Sequence, residues 1–175
     1  MQPPAAPADH GRVTGRHGDQ RGFSLVELIL VVSIIGILLA IGVPTYLAAH
    51  QRSEDRAVQS NLRDAFVASR IHYVQAGSYT DAPADMADIE PSLRWQDSPL
   101  DASARAHDVY VALGDDDQTL VLGGRTPSGW CFYLKDVVGG SDGGTYYAAA
   151  LSDDGTCVPP APAAIDHAKW SGRTG

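Results

Sequence analysis

The longest uncharged stretch of this sequence limits where its N-terminal part can reside. No Asp, Glu, Lys or Arg occurs between Glu27 and Arg52, so the 24 positions 28–51 carry no formal charge. As a helix they would extend about 36 Å, whereas the hydrocarbon core of a bilayer is about 30 Å thick. The chain has 175 residues, which leaves room for one ordinary domain beside this segment. We therefore expect one membrane-spanning helix and one domain in water.

The charge balance of the chain disfavours one class of partner. The chain has 13 basic and 21 acidic residues, with a formal net charge of -8. Proteins that bind nucleic acids cluster Lys and Arg against the phosphates. No direct nucleic-acid binding is therefore predicted, and the acidic excess is expected on the surface that faces water.

The residues before the apolar segment do not form an ordinary secretory signal. Positions 1–22 are rich in Pro, Gly and charge, and make a polar leader. A secretory signal has an apolar region of about 7–15 residues followed by a small-x-small cleavage site. Here the apolar run is longer, and Leu47 stands where a small residue is needed. The arginines leave the orientation open because three lie on each side: Arg12, Arg16 and Arg21 before the segment, and Arg52, Arg56 and Arg63 after it.

Helical periodicity continues beyond the apolar segment. Apolar or small residues recur every three or four positions, and charged residues lie between them. The pattern predicts one helix from Ser24 to about Gln75, hydrophobic over 23–50 and amphipathic over 51–76. Because Pro44 lacks an amide hydrogen, we expect a kink or a locally melted turn there. The amphipathic face consists of Val58, Leu62, Ala65, Phe66, Ser69 and Tyr73.

The pattern of the following residues, 77–157, predicts a small β-domain. Four strands are predicted, and the first two flank a short acidic loop as a hairpin. A small antiparallel sheet needs a cover for its apolar face, which the amphipathic half of the helix can provide, so the fold class is α+β. Residues 78–107 show no clear periodicity, and the Pro-rich end at 158–175 is expected to be a flexible tail. The predicted strands are 108–113, 119–122, 130–134 and 145–151.

Glu27 is an acidic residue at the start of the apolar segment. An unpaired carboxylate in lipid costs at least a few kcal/mol, so Glu27 must be paired, neutralised or placed near the interface. The simplest interpretation is an interfacial residue at the end of a signal anchor. If the chain were cut after Gly22, however, the new α-amino group of Phe23 would lie about one helical turn from Glu27. Two opposite charges would then share one apolar environment.

The residues around this carboxylate resemble the signal of a known family. A polar leader ends in Gly22, an aromatic residue follows at Phe23, and Glu27 and Pro44 would be the fifth and twenty-second residues after a cut at Gly22. This arrangement resembles the class III signal of type IV pilins and pseudopilins. The resemblance implies a pilin-like fold, and a prepilin peptidase that cuts between Gly22 and Phe23 and methylates the new amine of Phe23. It also implies a leader kept in the cytoplasm and a C-terminal domain outside the membrane.

The same resemblance implies a mechanism of assembly. The subunit is a single-pass protein of the cytoplasmic membrane, later extracted into an extracellular helical homopolymer whose core is a bundle of these helices. Glu27 would pair with the Phe23 ammonium of a neighbouring copy, because a lone buried charge penalises the wrong register. Pro44 and Gly42 would supply local unwinding, although close helix packing explains Gly36 and Gly42 at least as well. The implied partners are other copies of the chain, the prepilin peptidase, the pilus assembly platform and its ATPase.

A further similarity lies in the amphipathic half. The run 51–63, together with Tyr73 and the corner at 77–80, is similar to pilins of Gram-positive, high-GC bacteria. The excess of Arg over Lys and the abundance of Ala agree with a GC-rich genome. This similarity predicts the group of organisms from which the chain comes.

Cys131 and Cys157 are the two cysteines of the chain. Two cysteines in an exported domain imply one disulfide, and many pilins carry a C-terminal disulfide loop. The loop of about 27 residues would stabilise the domain by on the order of 3 kcal/mol in the chain-entropy model, with two free thiols as the alternative. No cofactor or metal is expected: the acidic clusters at 115–117 and 153–154 lack EF-hand spacing, so turn chemistry explains them more simply than bound calcium.

Three functions compete on the sequence alone. The first is a structural subunit of a type IV pilus, which is not an enzyme. The second is a pseudopilin of a type II secretion system or a minor pilin, which would share the processing and differ in partners. The third is a membrane-anchored exported enzyme, which the lack of a G-x-S-x-G elbow, a metal-ligand pattern or a phosphate loop disfavours.

Overall fold

The computed structural model describes residues 23–170, and the chain divides into two units, Met1–Val43 and Pro44–Gly175. The helix α1 spans Leu25–Ala76. In the first unit the described residues form the beginning of α1, and every one of them is exposed. The predicted leader, with Gly22, lies outside the described residues.

The second unit contains a five-stranded sheet with the strand order β1-β2-β3-β4-β5. The first pair, β1 and β2, is parallel, and the remaining neighbours are antiparallel. The α+β class, with a long N-terminal helix and a small and mostly antiparallel sheet, is therefore confirmed. All four predicted strands are present. The strands are β1 (Arg94–Gln96), β2 (Asp108–Leu113), β3 (Thr119–Arg125), β4 (Trp130–Val137) and β5 (Gly144–Leu151).

Two short elements lie in the segment that shows no periodicity. A second helix, α2, spans Pro83–Ile89 and begins with a proline, whose missing amide hydrogen costs nothing in a first turn. It buries Met86 completely, and the short strand β1 follows it. The indole Nε1 of Trp95 in β1 donates to the carbonyl of Glu90 at 3.1 Å. Elements of seven and three residues are too short to show a period, so tertiary contacts determine them.

The amphipathic half of α1 covers one face of the sheet. Val58, Leu62 and Ala65 are at most 1% exposed and belong to one core with apolar residues of β2, β3 and β4. Gly124 of β3 lies directly below this contact, since a Cβ added there would be 2.6 Å from Val58 Cγ1. A glycine at this position therefore lets the helix approach the sheet closely.

The opposite face of the sheet holds a second core. Leu100, Val121, Tyr133 and Ile165 are buried there beside the disulfide. Burial raises the pKa of Tyr133 above its ordinary value. Loops and the C-terminal segment thus cover the face that α1 does not.

The sequence predicts a flexible tail at 158–175, whereas its described part packs against the domain as far as Trp170. Ile165 is fully buried, and backbone hydrogen bonds join His167 to the outer edge of β5. The indole Nε1 of Trp170 donates to the carbonyl of Tyr133 at 3.0 Å. Two well-separated apolar side chains are enough to anchor this segment, and its Pro- and Ala-rich composition conceals them.

A buried carboxylate joins α1 to the sheet. Asp136 of β4 has no exposed side-chain surface, and it pairs with Arg70 of α1 at 2.7 Å. The hydroxyl of Thr145 donates to it at 2.7 Å, and the hydroxyl of Tyr79 donates to it as well. Burial, together with this hydrogen bond, raises the pKa of Tyr79 above its ordinary value. Four segments of the chain meet at one charge, which fixes the position of the helix on the sheet.

Candidate functional site

The beginning of α1 carries the residues that the sequence singles out for processing and assembly. The helix begins at Leu25, and the amide of Leu28 donates to the carbonyl of Ser24 at 3.1 Å. Glu27 lies in the first turn, where the positive end of the helix dipole stabilises an acidic side chain. Phe23 is 82% exposed and precedes Glu27 by about one turn. The chain terminus created by a cut before Phe23 would therefore be accessible and close to this carboxylate.

The apolar segment of α1 is uncovered in the isolated chain. Between Phe23 and Leu47, seventeen large apolar or aromatic side chains are exposed by 48% or more. Burying one Val, Leu or Ile is worth about 1.5–3 kcal/mol, so this surface in water costs on the order of tens of kcal/mol. By length and composition α1 can cross a membrane, and none of its apolar window is buried in the chain. Lipid or other protein must cover this segment.

The fold of the single chain does not require glycine at the two glycine positions of this segment. A Cβ added at Gly36 or at Gly42 would have no atom of the chain within 4 Å. Pro44 lies inside α1, and the helix continues through it without the locally melted turn that was one of the two expected outcomes. The bending of the helix at Gly42 and Pro44 stays a prediction.

The expected disulfide is present and fastens the end of the domain. Cys131 of β4 is bonded to Cys157, with a Cα–Cα distance of 5.6 Å. The amide of Cys157 also donates to the carbonyl of Leu100 at 2.7 Å. The bridge therefore holds the segment after β5 against the face of the sheet opposite to α1.

Some acidic side chains of the domain stabilise turns, including Asp154 of the cluster at 153–154. Among residues 23–170, no three His, Cys, Asp or Glu side chains are grouped so that they could hold a metal ion. The amide of Thr156 donates to Asp154 at 2.8 Å, and this bond lowers the pKa of the carboxyl group. The hydroxyl of Ser103 donates to Asp101 at 2.7 Å, and this bond lowers the pKa of that carboxyl group. These carboxylates stabilise the turns in which they lie.

One sequence pattern of hydrolases occurs in the wrong structural context. Residues 139–143 have the spacing G-x-S-x-G, so the predicted lack of this pattern is wrong. In hydrolases this pattern lies on a sharp turn between a strand and a helix. Here it lies between the antiparallel strands β4 and β5, and the hydroxyl of Ser141 donates to the neighbouring Asp142 at 3.2 Å. The geometry does not provide a nucleophile.

Two groups of residues that the structure brings out were not singled out by the sequence analysis. The ion pair of Arg70 with Asp136 joins positions that are 66 residues apart, so no local pattern reveals it. Val67, Ile71 and Val74 are exposed on α1, and their helical spacing is visible in the sequence. Only the structure shows that they face away from the sheet.

Comparison with known proteins places these features in one family. Residues 18–43 match the prokaryotic N-terminal methylation motif. The chain is 28% identical over 135 residues to the type IV wide pilus major component PilA4 of Thermus thermophilus, covering 77% of this chain and 84% of that protein. It is 36% identical over 70 residues to the type IV major pilin protein PilA of Myxococcus xanthus, covering 40% of this chain and 32% of that protein. It is also 51% identical over 41 residues to the type IV major fimbrial protein FimA of Dichelobacter nodosus, covering 23% of this chain and 26% of that protein.

An uncovered apolar helix that opens with a methylation motif and continues onto a disulfide-bonded sheet domain defines a membrane-anchored filament subunit. The methylation motif and the similarity to type IV major pilins support a type IV pilin. Pilins form pilus filaments, and this similarity supports anchoring by α1 and a place in a pilus on the cell surface. It also indicates a structural role. The Gram-positive, high-GC origin stays a prediction.

Proposed function

We propose that this protein is a structural subunit of a type IV pilus that is made as a prepilin, cut after Gly22, N-methylated at Phe23 and polymerised through α1. The observation that carries the proposal is the uncovered apolar segment between Phe23 and Leu47, most of which lies within the methylation motif matched at 18–43. A membrane covers this segment before assembly, and other copies cover it afterwards. The three similar proteins are all named as major components or major pilins, which favours a major pilin over a minor pilin or a pseudopilin.

The proposed processing divides the precursor into parts with different roles. Removal of residues 1–22 leaves 153 residues with 10 basic and 19 acidic side chains, a formal charge of -9 without the terminal groups. Residues 23–50 are the membrane and filament-core part of the helix, and 51–76 are its sheet-packing half. The domain at 77–157 faces outward, and the leader stays in the cytoplasm. The partners proposed for these steps are the prepilin peptidase, the assembly platform and its ATPase.

Glu27 has a specific role in this proposal. In a bundle of apolar helices its carboxylate needs a cation, and the methylated ammonium on Phe23 of a neighbouring copy supplies one. Methylation of an amine keeps its positive charge. Removing one partner of a buried ion pair costs about 3–5 kcal/mol, so only the register that pairs the two groups is favourable.

The proposal is tested on filaments sheared from cells that produce the protein. Mass spectrometry of abundant fibres should find a subunit that begins with methylated Phe23. A chain processed at Gly22 but absent from fibres would instead indicate a pseudopilin or a minor pilin.

Variants of Glu27 test its role in assembly. Glu27→Ala should be processed and remain in the membrane, and its filament yield should fall strongly. Glu54→Ala, an acidic residue of the amphipathic half, is the matched control and should assemble normally. A normal filament yield from Glu27→Ala would exclude the proposed pairing.

A further inference from the structure

The face of the sheet opposite to α1 carries a cavity of about 310 Å³. Its walls come from the end of β5, the turn at 152–156 and the segment 157–160 that follows the disulfide, and the buried residues Cys131 and Tyr133 of β4 also line it. Sites for small molecules have volumes of about 300–1,000 Å³, so this cavity is at the lower end of that range. It has room for one long side chain rather than for a large ligand.

The walls of the cavity are ordered by contacts within the chain. The hydroxyl of Tyr133 donates to the carbonyl of Val158 at 2.8 Å, and the hydroxyl of Ser152 donates to the carbonyl of Thr156 at 2.9 Å. The disulfide holds Cys157 between these two contacts. Because the walls are already ordered, binding there loses little conformational entropy.

One side of the cavity is apolar and open to solvent. Leu151 and Val158 line it and are 56% and 60% exposed. They are the only large apolar side chains beyond α1, within the part of the chain that the structure describes, that are exposed. Ala148, Ala150 and Pro160 complete this side. An apolar group placed here would cover surface that the chain itself leaves in water.

The other side of the cavity is acidic. Asp153 and Asp154 line it, and no Lys, Arg or His among residues 23–170 does so. Asp154 accepts hydrogen bonds from the turn, whereas the exposed Asp153 has no hydrogen bond or ion pair with any described residue. The carboxylate of Asp153 can therefore pair with a cation that an occupant brings.

We propose that this cavity binds a lysine or arginine side chain that a partner protein presents next to an apolar residue. Such a side chain has an apolar stem and a cationic head, which match the two sides of the cavity. The stem packs against Ala148 and Ala150, and the head pairs with Asp153. The neighbouring apolar residue covers Leu151 and Val158. The partner is thus a basic peptide segment, and the site depends neither on α1 nor on polymerisation.

A peptide titration followed by nuclear magnetic resonance tests the proposal on the full, nitrogen-15-labelled chain in an uncharged detergent. The probe is the acetylated and amidated tripeptide leucine-lysine-leucine, and the same tripeptides with glutamine or glutamate at the centre are the controls. We expect saturable shifts of backbone amides within 148–158 and a dissociation constant of about 1 mM or below for the lysine peptide. The glutamate peptide should bind at least about tenfold more weakly, because it brings a like charge to Asp153. The absence of saturable shifts, shifts centred elsewhere, or equal affinity for the lysine and glutamine peptides contradicts the proposal.

A charge reversal gives an independent measurement. Asp153→Lys should weaken binding of the lysine peptide by about tenfold or more, since attraction becomes repulsion. The variant should keep the fold because Asp153 makes no described contact with its charge, and unchanged amide shifts outside the turn check this. Asp97→Lys makes the same change at another exposed aspartate and should bind like the unchanged protein.

Binding that survives Asp153→Lys, or that Asp97→Lys weakens equally, refutes the site. The titration uses single chains, so its result does not depend on whether fibres form. Failure of the proposed function would appear in the sheared filaments instead.

Discussion

Replacing Arg70 by methionine tests whether the buried carboxylate of Asp136 needs its cation. The two ends of this ion pair differ in exposure: the side chain of Arg70 is 40% exposed, and that of Asp136 is fully buried. Methionine keeps most of the length and apolar surface of the arginine side chain and removes the charge. The substitution therefore isolates the electrostatic contribution from packing.

The structure indicates the size of the effect. An exposed ion pair contributes about 0–1 kcal/mol, whereas removing one partner of a buried pair costs about 3–5 kcal/mol. Loss of Arg70 leaves the carboxylate of Asp136 buried without a cation. This carboxylate still accepts hydrogen bonds from the hydroxyls of Tyr79 and Thr145. We therefore expect the free energy of unfolding to fall by about 3 kcal/mol, at the lower end of the buried range.

The assay is denaturant unfolding of the full chain in detergent, followed by tryptophan fluorescence. All three tryptophans, Trp95, Trp130 and Trp170, lie in the sheet domain, so the signal reports this unit. Arg56→Met, an exposed position on the same helix, is the matched control and should change the free energy of unfolding by less than about 0.5 kcal/mol.

A double variant decides the interpretation. Asp136→Asn in the Arg70→Met background replaces the unpaired buried carboxylate by a neutral amide. The double variant should therefore be more stable than Arg70→Met alone. A loss below about 1 kcal/mol for Arg70→Met would show that the pair behaves like an exposed one. A double variant less stable than Arg70→Met would equally refute the reasoning.

Three further predictions concern the same domain. Replacing Cys131 and Cys157 by serine should lower the free energy of unfolding by on the order of 3 kcal/mol in denaturant titrations, and reductant should have no further effect on this variant. The pKa of Tyr79 is raised from 10.0 in the folded state, so the protonated phenol contributes stability that is fully present below pH 10. As the pH rises from about 10 toward the folded-state pKa, this contribution to the free energy of unfolding should fall by about 1.4 kcal/mol per pH unit. Tyr79→Phe should flatten this alkaline decline, and an unchanged slope would contradict the assignment. Gly124→Ala should destabilise the domain by about 1–3 kcal/mol, because its Cβ would clash with α1. Gly123→Ala, whose Cβ would meet only ordinary contacts at 3.4 Å, should be nearly neutral in the same denaturant titrations.

The sequence predicted the strands well where their patterns were local. The hairpin of β2 and β3 has short apolar runs on both sides of an acidic turn, and both strands are observed. The short strand β1 and the helix α2 gave no period, because each buries only one or two large side chains. The packed tail was missed for the same reason. Its anchors, Ile165 and Trp170, are isolated in a Pro- and Ala-rich segment.

The candidate site divides in the same way between sequence and structure. The motif from Gly22 to Glu27 and the uncharged run behind it are continuous in the chain, so the sequence alone identified the pilin family and the segment that must leave water. A continuous motif and an apolar helix depend on neighbouring residues, and they need no fold to be recognised.

Tertiary structure alone decided which side of α1 in the second unit remains exposed to solvent. The packing of Val58 and Leu62 on the sheet determines that Val67 and Val74 face outward. The ion pair of Arg70 with Asp136 holds the helix to the sheet in this orientation. Both facts depend on contacts between residues far apart in the chain, and helical periodicity cannot tell which of two apolar sides a sheet will cover.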